Sequence, residues 1–383
     1  MMCSPRDIIG SRLSARALAY HTAMTKEPFA VPVVDISPFV GEKDAPADAR
    51  QRVARAVDAA CRSVGFMQIT GHGIPEEVLQ GMTDALDAFF LQDMDVKKRC
   101  TSDNNRGYSP PNSENLSLSL GVEATYGAND YFEAFNIGTQ TSDYPGLGLS
   151  EAVYQPNVWP AAEGERVPEG MKQFRANLER WFHAAAQTAR TLTGVFEHAL
   201  NVPEGTITAL ASHSVDVLRC INYVLPPGTS AKVDDEQMGM GEHTDYGIVT
   251  ILWADRVAGL QVLGTEGQWH DVVPEPGALL VNLGDVMARL TNDQWLSTLH
   301  RVKPPVENGV IRRRRAAAFF HDGNEDAVVH PLPGMVDASH PPLYKPLTIG
   351  EHLLAKLGGS KGLQINNRDT EREAARVLAS ART

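Results

Sequence analysis

The chain has few of the features that mark secreted, membrane-spanning or nucleic-acid-binding proteins. Its four cysteines, Cys3, Cys61, Cys100 and Cys220, are scattered among 383 residues without Cys-x-x-Cys spacing, which excludes a disulfide scaffold. No apolar run reaches the ~18 residues that a membrane span requires. Acidic residues outnumber basic ones, 47 against 35, for a net charge of −12, so the basic footprint of a nucleic-acid-binding protein is missing. We therefore expect a cytoplasmic protein that binds neither membrane nor nucleic acid.

Histidine and aspartate form the pattern that carries most of the functional prediction. His243 and Asp245 are two residues apart, and His300 follows at a distance. Two imidazoles and one carboxylate can occupy one face of an octahedral ion and leave three positions open for a co-substrate and O₂, as in non-haem Fe(II) enzymes. A strand would put His243 and Asp245 on one face. Any one of the twelve histidines is more often a surface residue than a ligand, so the prediction depends on its context.

Short β-branched stretches around this pattern predict the fold. Residues 248–253 and 259–262 are apolar and typical of strands. His300 can meet the other two ligands only if the intervening strands fold back over them, as in a double-sheet jelly roll. The sequence therefore predicts a jelly-roll core.

Helical periodicity precedes this core. Apolar residues recur at helical spacing over residues 48–64, 76–90 and 171–200, which predicts three helices that pack on one sheet. Residues 100–141 are rich in Ser, Asn, Gly and Tyr and contain a Pro-Pro pair, so they are predicted to form loops.

Four consecutive arginines at 312–315 open a further predicted strand. A guanidinium among apolar residues needs an anion, and its planar fork fits a carboxylate through two hydrogen bonds. Alternation assigns Arg312, Arg314, Ala316, Ala318 and Phe320 to one face and Arg313, Arg315, Ala317 and Phe319 to the other. At least two of the arginines are expected to belong to a solvated basic run. Inside an acidic protein such a run favours a small acidic substrate or co-substrate.

Several short blocks occur in an order typical of one enzyme family. They are residues 31–37, 65–75, 106–108, 133–138, 157–160, 243–250, 259–262, 281–285, 291–293 and 297–302. Together they resemble the isopenicillin N synthase-like family of Fe(II)/2-oxoglutarate-dependent oxygenases over roughly residues 30 to 350. The resemblance implies a mixed α and β fold with a double-stranded β-helix (jelly-roll) core braced by N-terminal helices.

The chain is divided accordingly into four parts. Residues 1–29 are expected to form a poorly ordered N-terminal extension, in which arginines occur without the apolar stretch of a leader peptide and Met24 offers an alternative start. Residues 30–170 would form the N-terminal oxygenase region and residues 171–350 the jelly-roll core with its bracing helix. Residues 351–383 would form a helical tail.

The resemblance also implies roles for individual residues. His243, Asp245 and His300 would hold Fe(II). Arg314 would bind the distal carboxylate of 2-oxoglutarate, with Tyr223 as a second contact and ascorbate as a candidate reductant. O₂ and a small molecule would be the other substrates, and the dioxygenase would hydroxylate or desaturate that molecule with release of succinate and CO₂.

Three aromatic residues are candidate substrate contacts. In this family the region after residue 100 helps to close the substrate pocket, which makes Tyr108 and Phe135 candidates. Phe320 would lie on the barrel wall. Ordinary packing in the core is the alternative for each of them.

The chain departs from the family pattern near the co-substrate site. Ala316 replaces a serine whose hydroxyl also contacts 2-oxoglutarate, and the loss of a charge-assisted hydrogen bond of roughly 1.5–3 kcal/mol predicts binding about tenfold weaker. A longer segment before Arg314 predicts a hairpin turn at residues 307–309, and Val224-Leu225 alters the segment after Tyr223. These departures leave open an oxoglutarate-independent Fe(II) oxidase of the isopenicillin N synthase type, or a binding protein without turnover.

Overall fold

Antiparallel strands from both halves of the chain form the core of the computed structural model. The structure describes residues 29–41, 45–120, 130–161, 166–223, 239–307 and 310–361, with the backbone alone at 307, 310 and 311. The strands are β1 Val33–Asp35, β2 Phe66–Thr70, β3 Gly107–Ser109, β4 Glu133–Gly138, β5 Asp216–Tyr223, β6 Met240–His243, β7 Val249–Ala254, β8 Leu260–Leu263, β9 Trp269–Asp271, β10 Leu279–Leu283, β11 His300–Val302, β12 Val306–Glu307, β13 Val310–Ile311, β14 Arg314–His321, β15 Val328–Val329 and β16 Leu347–Thr348.

Two of the sheets form the barrel. The larger has the strand order β1-β2-β10-β7-β14-β5-β4-β3, and the smaller has the order β6-β11-β8-β9. The β1–β2 pair is parallel, whereas the other pairs of both sheets are antiparallel. Residues of both sheets line one cavity. This arrangement confirms the mixed fold with a jelly-roll core.

The helices are α1 Ala47–Ser63, α2 Glu76–Phe90, α3 Met94–Lys98, α4 Phe174–Leu200, α5 Asp285–Leu290 and α6 Ile349–Ser360. Helices α1, α2 and α4 pack against the larger sheet on the face that points away from the cavity. In contrast, α6 contributes Leu353 and Leu357 to the cavity wall. The longest, α4, buries Leu178, Trp181 and Phe196. Its Phe182 ring lies edge-on to Phe319 of β14 at 5.2 Å between centroids. The three helices predicted from apolar periodicity are α1, α2 and α4, and α2 has the predicted bounds.

No helix in the described part of the chain is long and apolar enough to cross a membrane.

The prediction of loops over residues 100–141 is wrong in part. Glu133–Gly138 forms strand β4, which is buried throughout, and Gly107–Ser109 pairs with it as β3. Glu133 and Asn136 interrupt the apolar pattern of β4, although both are buried. Glu133 is stabilised there by Lys97 at 2.8 Å and by the hydroxyl of Tyr108 at 2.6 Å. The buried strand was missed because its polar residues break the apolar pattern, although Glu133 is paired with other polar groups.

Two further predictions lie wholly or partly outside the described residues. β12 and β13 pair in antiparallel fashion on either side of the predicted hairpin turn, but turn residues 308–309 are not described. The extension before residue 29 and the tail after residue 361 are likewise not described, so the four-part division of the chain stays a prediction.

Candidate metal centre and co-substrate site

Three residues predicted as metal ligands converge at one end of the smaller sheet. His243 ends β6 and His300 begins β11, and the two are directly paired across the sheet. Asp245 lies just beyond the end of β6. Its Oδ1 atom is 4.0 Å from Nε2 of His243 and 3.8 Å from Nε2 of His300. All three are buried, and their ligand atoms lie within 4.8 Å of one another.

Backbone carbonyls set the orientation of both imidazoles. Nδ1 of His243 lies 2.7 Å from the carbonyl oxygen of Gly241, and Nδ1 of His300 lies 3.1 Å from that of Thr298. A carbonyl only accepts, so each Nδ1 carries the proton and each Nε2 presents its lone pair. Burial, with the neighbouring His300, lowers the pKa of His243 to about 3. The imidazole is therefore neutral, as a metal ligand must be.

The aspartate is held by two donors on one oxygen. Thr250 donates to Oδ2 of Asp245 at 2.5 Å, and the Asn282 side chain donates to the same atom at 2.6 Å. Thr250 and Asn282 are partners across the β7–β10 pair. Oδ1 is thereby left facing the imidazoles. Both donors lie inside the sequence blocks described above, but their shared role depends on strand pairing and was not predicted.

A buried ionic network fixes the backbone between the ligands. Thr244 donates to Oδ2 of Asp285 at 3.2 Å, and Ser297 donates to Oδ1 of the same residue at 2.7 Å. Nζ of Lys356 in α6 lies 2.8 Å from Oδ2. Burial alone would raise the pKa of Asp285, but Lys356 and His352 outweigh it and hold this pKa below its ordinary value. The ionised carboxylate thus joins both ligand-bearing segments to α6.

Arg314 projects into the cavity from the start of β14. It is 2% exposed, its Nε donates to the Val257 carbonyl at 3.3 Å, and its Nη1 is buried without a hydrogen-bond partner among the residues that the structure describes. Tyr223 is its partner across the β5–β14 pair, and the guanidinium carbon lies 4.9 Å from the centroid of the Tyr223 ring. A buried guanidinium with an unused donor fits a carboxylate ligand such as that of 2-oxoglutarate.

The cavity has a volume of about 280 Å³ and is lined by the three metal-ligand candidates together with Arg314 and Tyr223. Alternation along β14 is as predicted from the sequence. The residues of β14 that line the cavity are Arg314, Ala316, Ala318 and Phe320. Ala317 and Phe319 instead pack in the hydrophobic core behind the sheet.

The other two candidate substrate contacts lie away from the cavity. Tyr108 and Phe135 belong to the hydrophobic core and are not among the described residues that line the cavity. The Tyr108 hydroxyl donates to Glu133 at 2.6 Å. Phe135 packs against Phe89 of α2 with 4.6 Å between ring centroids. The structure therefore brings Phe320 to the cavity, whereas Tyr108 and Phe135 have the packing role that was their alternative.

Polar residues at another part of the cavity wall were not predicted. Arg106, Arg219, Asp322 and Lys361 all line it, with Glu114 beside them. Arg106 lies in one of the sequence blocks described above, and Arg219 lies four residues before Tyr223. Their charge, in stretches otherwise buried, was the signal that could have identified them.

Comparison with known proteins finds 2-oxoglutarate-Fe(II) oxygenases that match most of the chain. Residues 31–162 match the family model for the N-terminal region of the non-haem dioxygenase in morphine synthesis, and residues 216–323 match that of the 2OG-Fe(II) oxygenase superfamily. The 2-oxoglutarate-Fe(II) type oxidoreductase hxnY of Emericella nidulans is 36% identical over 330 residues, which cover 84% of this chain and 88% of hxnY. The 2-oxoglutarate-dependent dioxygenase citB of Monascus ruber is 33% identical over 347 residues, 89% of this chain and 98% of citB.

Solved structures agree with these relatives. A full-length Neurospora crassa protein crystallised in complex with alpha-KG superimposes with a TM-score of 0.72 at 25% identity, covering 87% of this chain and 97% of that chain. A 2OG-Fe(II) oxygenase family protein from Caulobacter crescentus gives a TM-score of 0.69 at 26% identity, with 86% and 98% covered.

Proposed function

Because this chain belongs to the 2OG-Fe(II) oxygenase superfamily, we propose that His243, Asp245 and His300 hold its Fe(II) and that Arg314 binds the distal carboxylate of 2-oxoglutarate. The enzyme is a 2-oxoglutarate-dependent dioxygenase that oxidises a small molecule with release of succinate and CO₂. The observation that supports the ligand assignment most directly is the convergence of three buried ligand atoms within 4.8 Å.

The chemistry of the donors fits iron. Two imidazoles and one carboxylate form the facial set of non-haem Fe(II) oxygenases, which leaves positions for a co-substrate and O₂. When bound, the iron would activate O₂, which is the oxidant of the reaction, and 2-oxoglutarate would supply two electrons as it is oxidised to succinate and CO₂, while the protein positions the substrate and excludes water. Ascorbate is the reductant that we expect to keep the iron ferrous.

The residues around Arg314 prepare it for an anion. The Tyr223 ring and the Val257 carbonyl hold the guanidinium in place, while Nη1 keeps an unused N–H. Tyr223 has its hydroxyl 3.8 Å from the sulfur of Met240. We propose that Tyr223 acts mainly by fixing the orientation of Arg314. Ala316 beside it offers no hydroxyl, so the arginine carries most of the carboxylate recognition.

The oxoglutarate-independent oxidase receives less support. The relatives that match most of this chain are named as 2-oxoglutarate-dependent enzymes. Arg314 also remains without a described carboxylate partner, as a co-substrate site requires. A binding protein without turnover is disfavoured by the complete and preoriented ligand set.

Other expectations concern the setting of the enzyme. We propose that it works in a reducing cytoplasm, since Cys61, Cys100 and Cys220 are buried and unpaired. We also expect no nucleic-acid partner for a chain of net charge −12.

Anaerobic titration with Fe(II) and then 2-oxoglutarate tests the proposed site. The charge-transfer band of the iron–oxoglutarate chelate should appear in the wild-type protein and saturate. It should be absent in His300→Ala. The control is His270→Ala, because His270 lies on β9 of the same sheet, is paired with Glu266, and does not line the cavity. A band in His300→Ala, or its loss in His270→Ala, would reject the assignment.

A further inference from the structure

The cavity has a second cationic region that the iron and co-substrate assignments leave unused. Arg219 lies on β5 opposite Ala318, whereas Arg314 lies opposite Tyr223. At ~3.3 Å per residue, the backbones of the two arginines are about 13 Å apart along the strands. Arg106 and Lys361 line the cavity together with Arg219. We call these three residues, Arg106, Arg219 and Lys361, the second cationic region.

Both arginines of this region keep an unused donor inside the protein. Arg106 is 3% exposed and donates to the carbonyls of Asn105 at 3.0 Å and Thr139 at 3.2 Å, but its Nε has no partner among the described residues. Arg219 is 9% exposed and lies 2.7 Å from Glu114 through Nη2, and its Nε also has no partner in the part of the chain that the structure describes. A buried N–H without an acceptor costs free energy, roughly 1–3 kcal/mol. A ligand that accepts from these donors would recover that cost.

The backbone is shaped to admit one of these guanidinium groups. Gly138 on β4 lies so close to Arg106 that a Cβ atom there would be 2.5 Å from Nη2. Glycine at this position therefore allows the arginine to lie against the strand.

Carboxylates lie beside the cations of this region. Burial alone would raise the pKa of Glu114, but Arg219 and Lys361 outweigh it and keep this pKa below its ordinary value. Glu114 is therefore ionised, and it pairs with Arg219. Burial, together with Asp216 and Asp245, raises the pKa of Asp322 well above its ordinary value, although Arg106 opposes this shift. Burial thus disfavours the charged form of Asp322.

Two further carboxylates near this region have partners of their own. Burial raises the pKa of Asp130 to about 7, and its oxygens accept from the backbone N–H groups of Leu116 and Gly241. Asp216 is 2.8 Å from Nδ1 of His321. A buried guanidinium is costly unless an acceptor pairs with its donors.

Building on the proposed function, we propose that the substrate is a compact carboxylic acid whose carboxylate binds between Arg106 and Arg219. Its apolar part lies along Val217, Ile221 and Leu357, which line the same cavity. A volume of about 280 Å³ falls at the lower limit of the ~300–1,000 Å³ usual for ligand pockets. The same cavity must also admit 2-oxoglutarate. The acid therefore has one ring or a short chain.

Pairs of acids and amides test this assignment. The probes are benzoate, phenylacetate and hexanoate, each compared with its primary amide, which has nearly the same shape but no charge. Binding to the anaerobic protein, saturated with Fe(II) and 2-oxoglutarate, is measured by calorimetry and by perturbation of the chelate band. At least one acid should bind tenfold or more tightly than its amide.

Substitution of Arg219 locates the site. Arg219→Gln should weaken binding of that acid by about ten- to a hundredfold, the range for a charge-assisted hydrogen bond, and should bring it close to the amide. Arg219→Lys should retain part of the preference. Binding of the amide should change little in either variant.

Arg301→Gln is the matched control. Arg301 is also 9% exposed, lies 2.9 Å from a glutamate and stacks over an aromatic ring, Trp269, as Arg219 does over Phe132. It does not belong to the described cavity wall. The preference for acid over amide should survive in this variant.

The outcomes separate this inference from the proposed function. Absence of the chelate band in the wild-type protein would reject the function itself. With the band present, the inference is overturned if no acid binds more tightly than its amide, if Arg219→Gln keeps the preference, or if the acid only displaces 2-oxoglutarate. Should Arg219→Gln fail to fold, as judged by circular dichroism, Arg106→Gln takes its place: the preference for acid over amide should then be lost in Arg106→Gln, and its survival would overturn the inference.

Discussion

Neighbouring arginines at the start of strand β14 have different partners on its two faces. On the outer face, Arg313 and Arg315 lie 2.6 Å and 2.9 Å from the two carboxylate oxygens of Asp87. On the cavity face, Arg314 is more deeply buried but has no described carboxylate partner, only a carbonyl and the Tyr223 ring. Where the protein supplies the anion, an arginine stabilises the fold. Where it supplies none, the arginine is available to a ligand.

The largest expected difference concerns two aspartates: Asp245 at the proposed metal site, and Asp87, which pairs with the arginines of the outer face. Asp245→Ala should abolish iron binding and turnover, because the carboxylate is one of three proposed ligands. Asp87→Ala should leave both intact and cost at most about 1 kcal/mol of unfolding free energy, since its ion pairs are partly exposed. Iron content after anaerobic loading and urea denaturation measure the two effects. Full iron occupancy in Asp245→Ala would contradict the ligand set.

The arginines themselves give the next largest effect. Arg314→Gln should leave iron bound but raise the 2-oxoglutarate concentration needed for the chelate band by about ten- to a hundredfold, because a bidentate charged contact is lost. Arg315→Gln should leave that concentration unchanged within twofold. Equal effects in both variants would show that the two faces do not differ in the way proposed.

The next two residues, Ala316 and Ala317, test the same difference between the cavity face and the outer face. Ala316→Ser places a hydroxyl on the cavity face and should tighten 2-oxoglutarate binding about tenfold. Ala317→Ser places the same hydroxyl in the core, where Ala317 is 0% exposed, and should cost roughly 1–3 kcal/mol of unfolding free energy. Titration of the chelate band and thermal unfolding distinguish these results. Unchanged affinity in Ala316→Ser would contradict the prediction that the missing hydroxyl weakens 2-oxoglutarate binding.

The smallest expected effect is a pH dependence confined to the cavity. Burial, reinforced by Arg219 and Arg106 and opposed by Glu114, lowers the pKa of Lys361 to about 8. The ammonium is charged below that pH and neutral above it, whereas both arginines stay charged. Affinity for the acid probe should therefore fall a few-fold between pH 7 and 9. In Lys361→Met the fall should be smaller, and the remainder is assigned to Asp130, whose pKa of about 7 makes it negative over the same range. An unchanged slope in this variant would exclude Lys361 as a source.

Sequence patterns predicted those parts of the site that depend on local spacing. His243, Asp245 and His300 followed from residue type and block order, and the cavity face of β14 followed from strand alternation. Helix α2 was predicted with its observed bounds, because its apolar residues recur regularly.

Features that depend on contacts between distant segments were not predicted. The role of Asn282 requires the pairing of β10 with β7, and that of Arg219 requires the placement of β5 against the cavity. Strand β4 was missed because Glu133 is buried by partners elsewhere in the chain, Lys97 and Asn222. Because this strand was missed, the side-chain directions of Tyr108 and Phe135 were not predicted either.

The contact between Lys356 and Asp285 has a consequence for the assembly of the enzyme. Asp285 joins the backbone of both ligand-bearing segments, but its cation comes from α6, among the last residues that the structure describes. Synthesis proceeds from the N-terminus, so the ligand residues are made well before the helix that secures them. A nascent chain that lacks α6 would carry a buried acid without its counter-charge. We therefore expect the proposed iron site to be completed late in biogenesis, when almost the whole described chain has emerged.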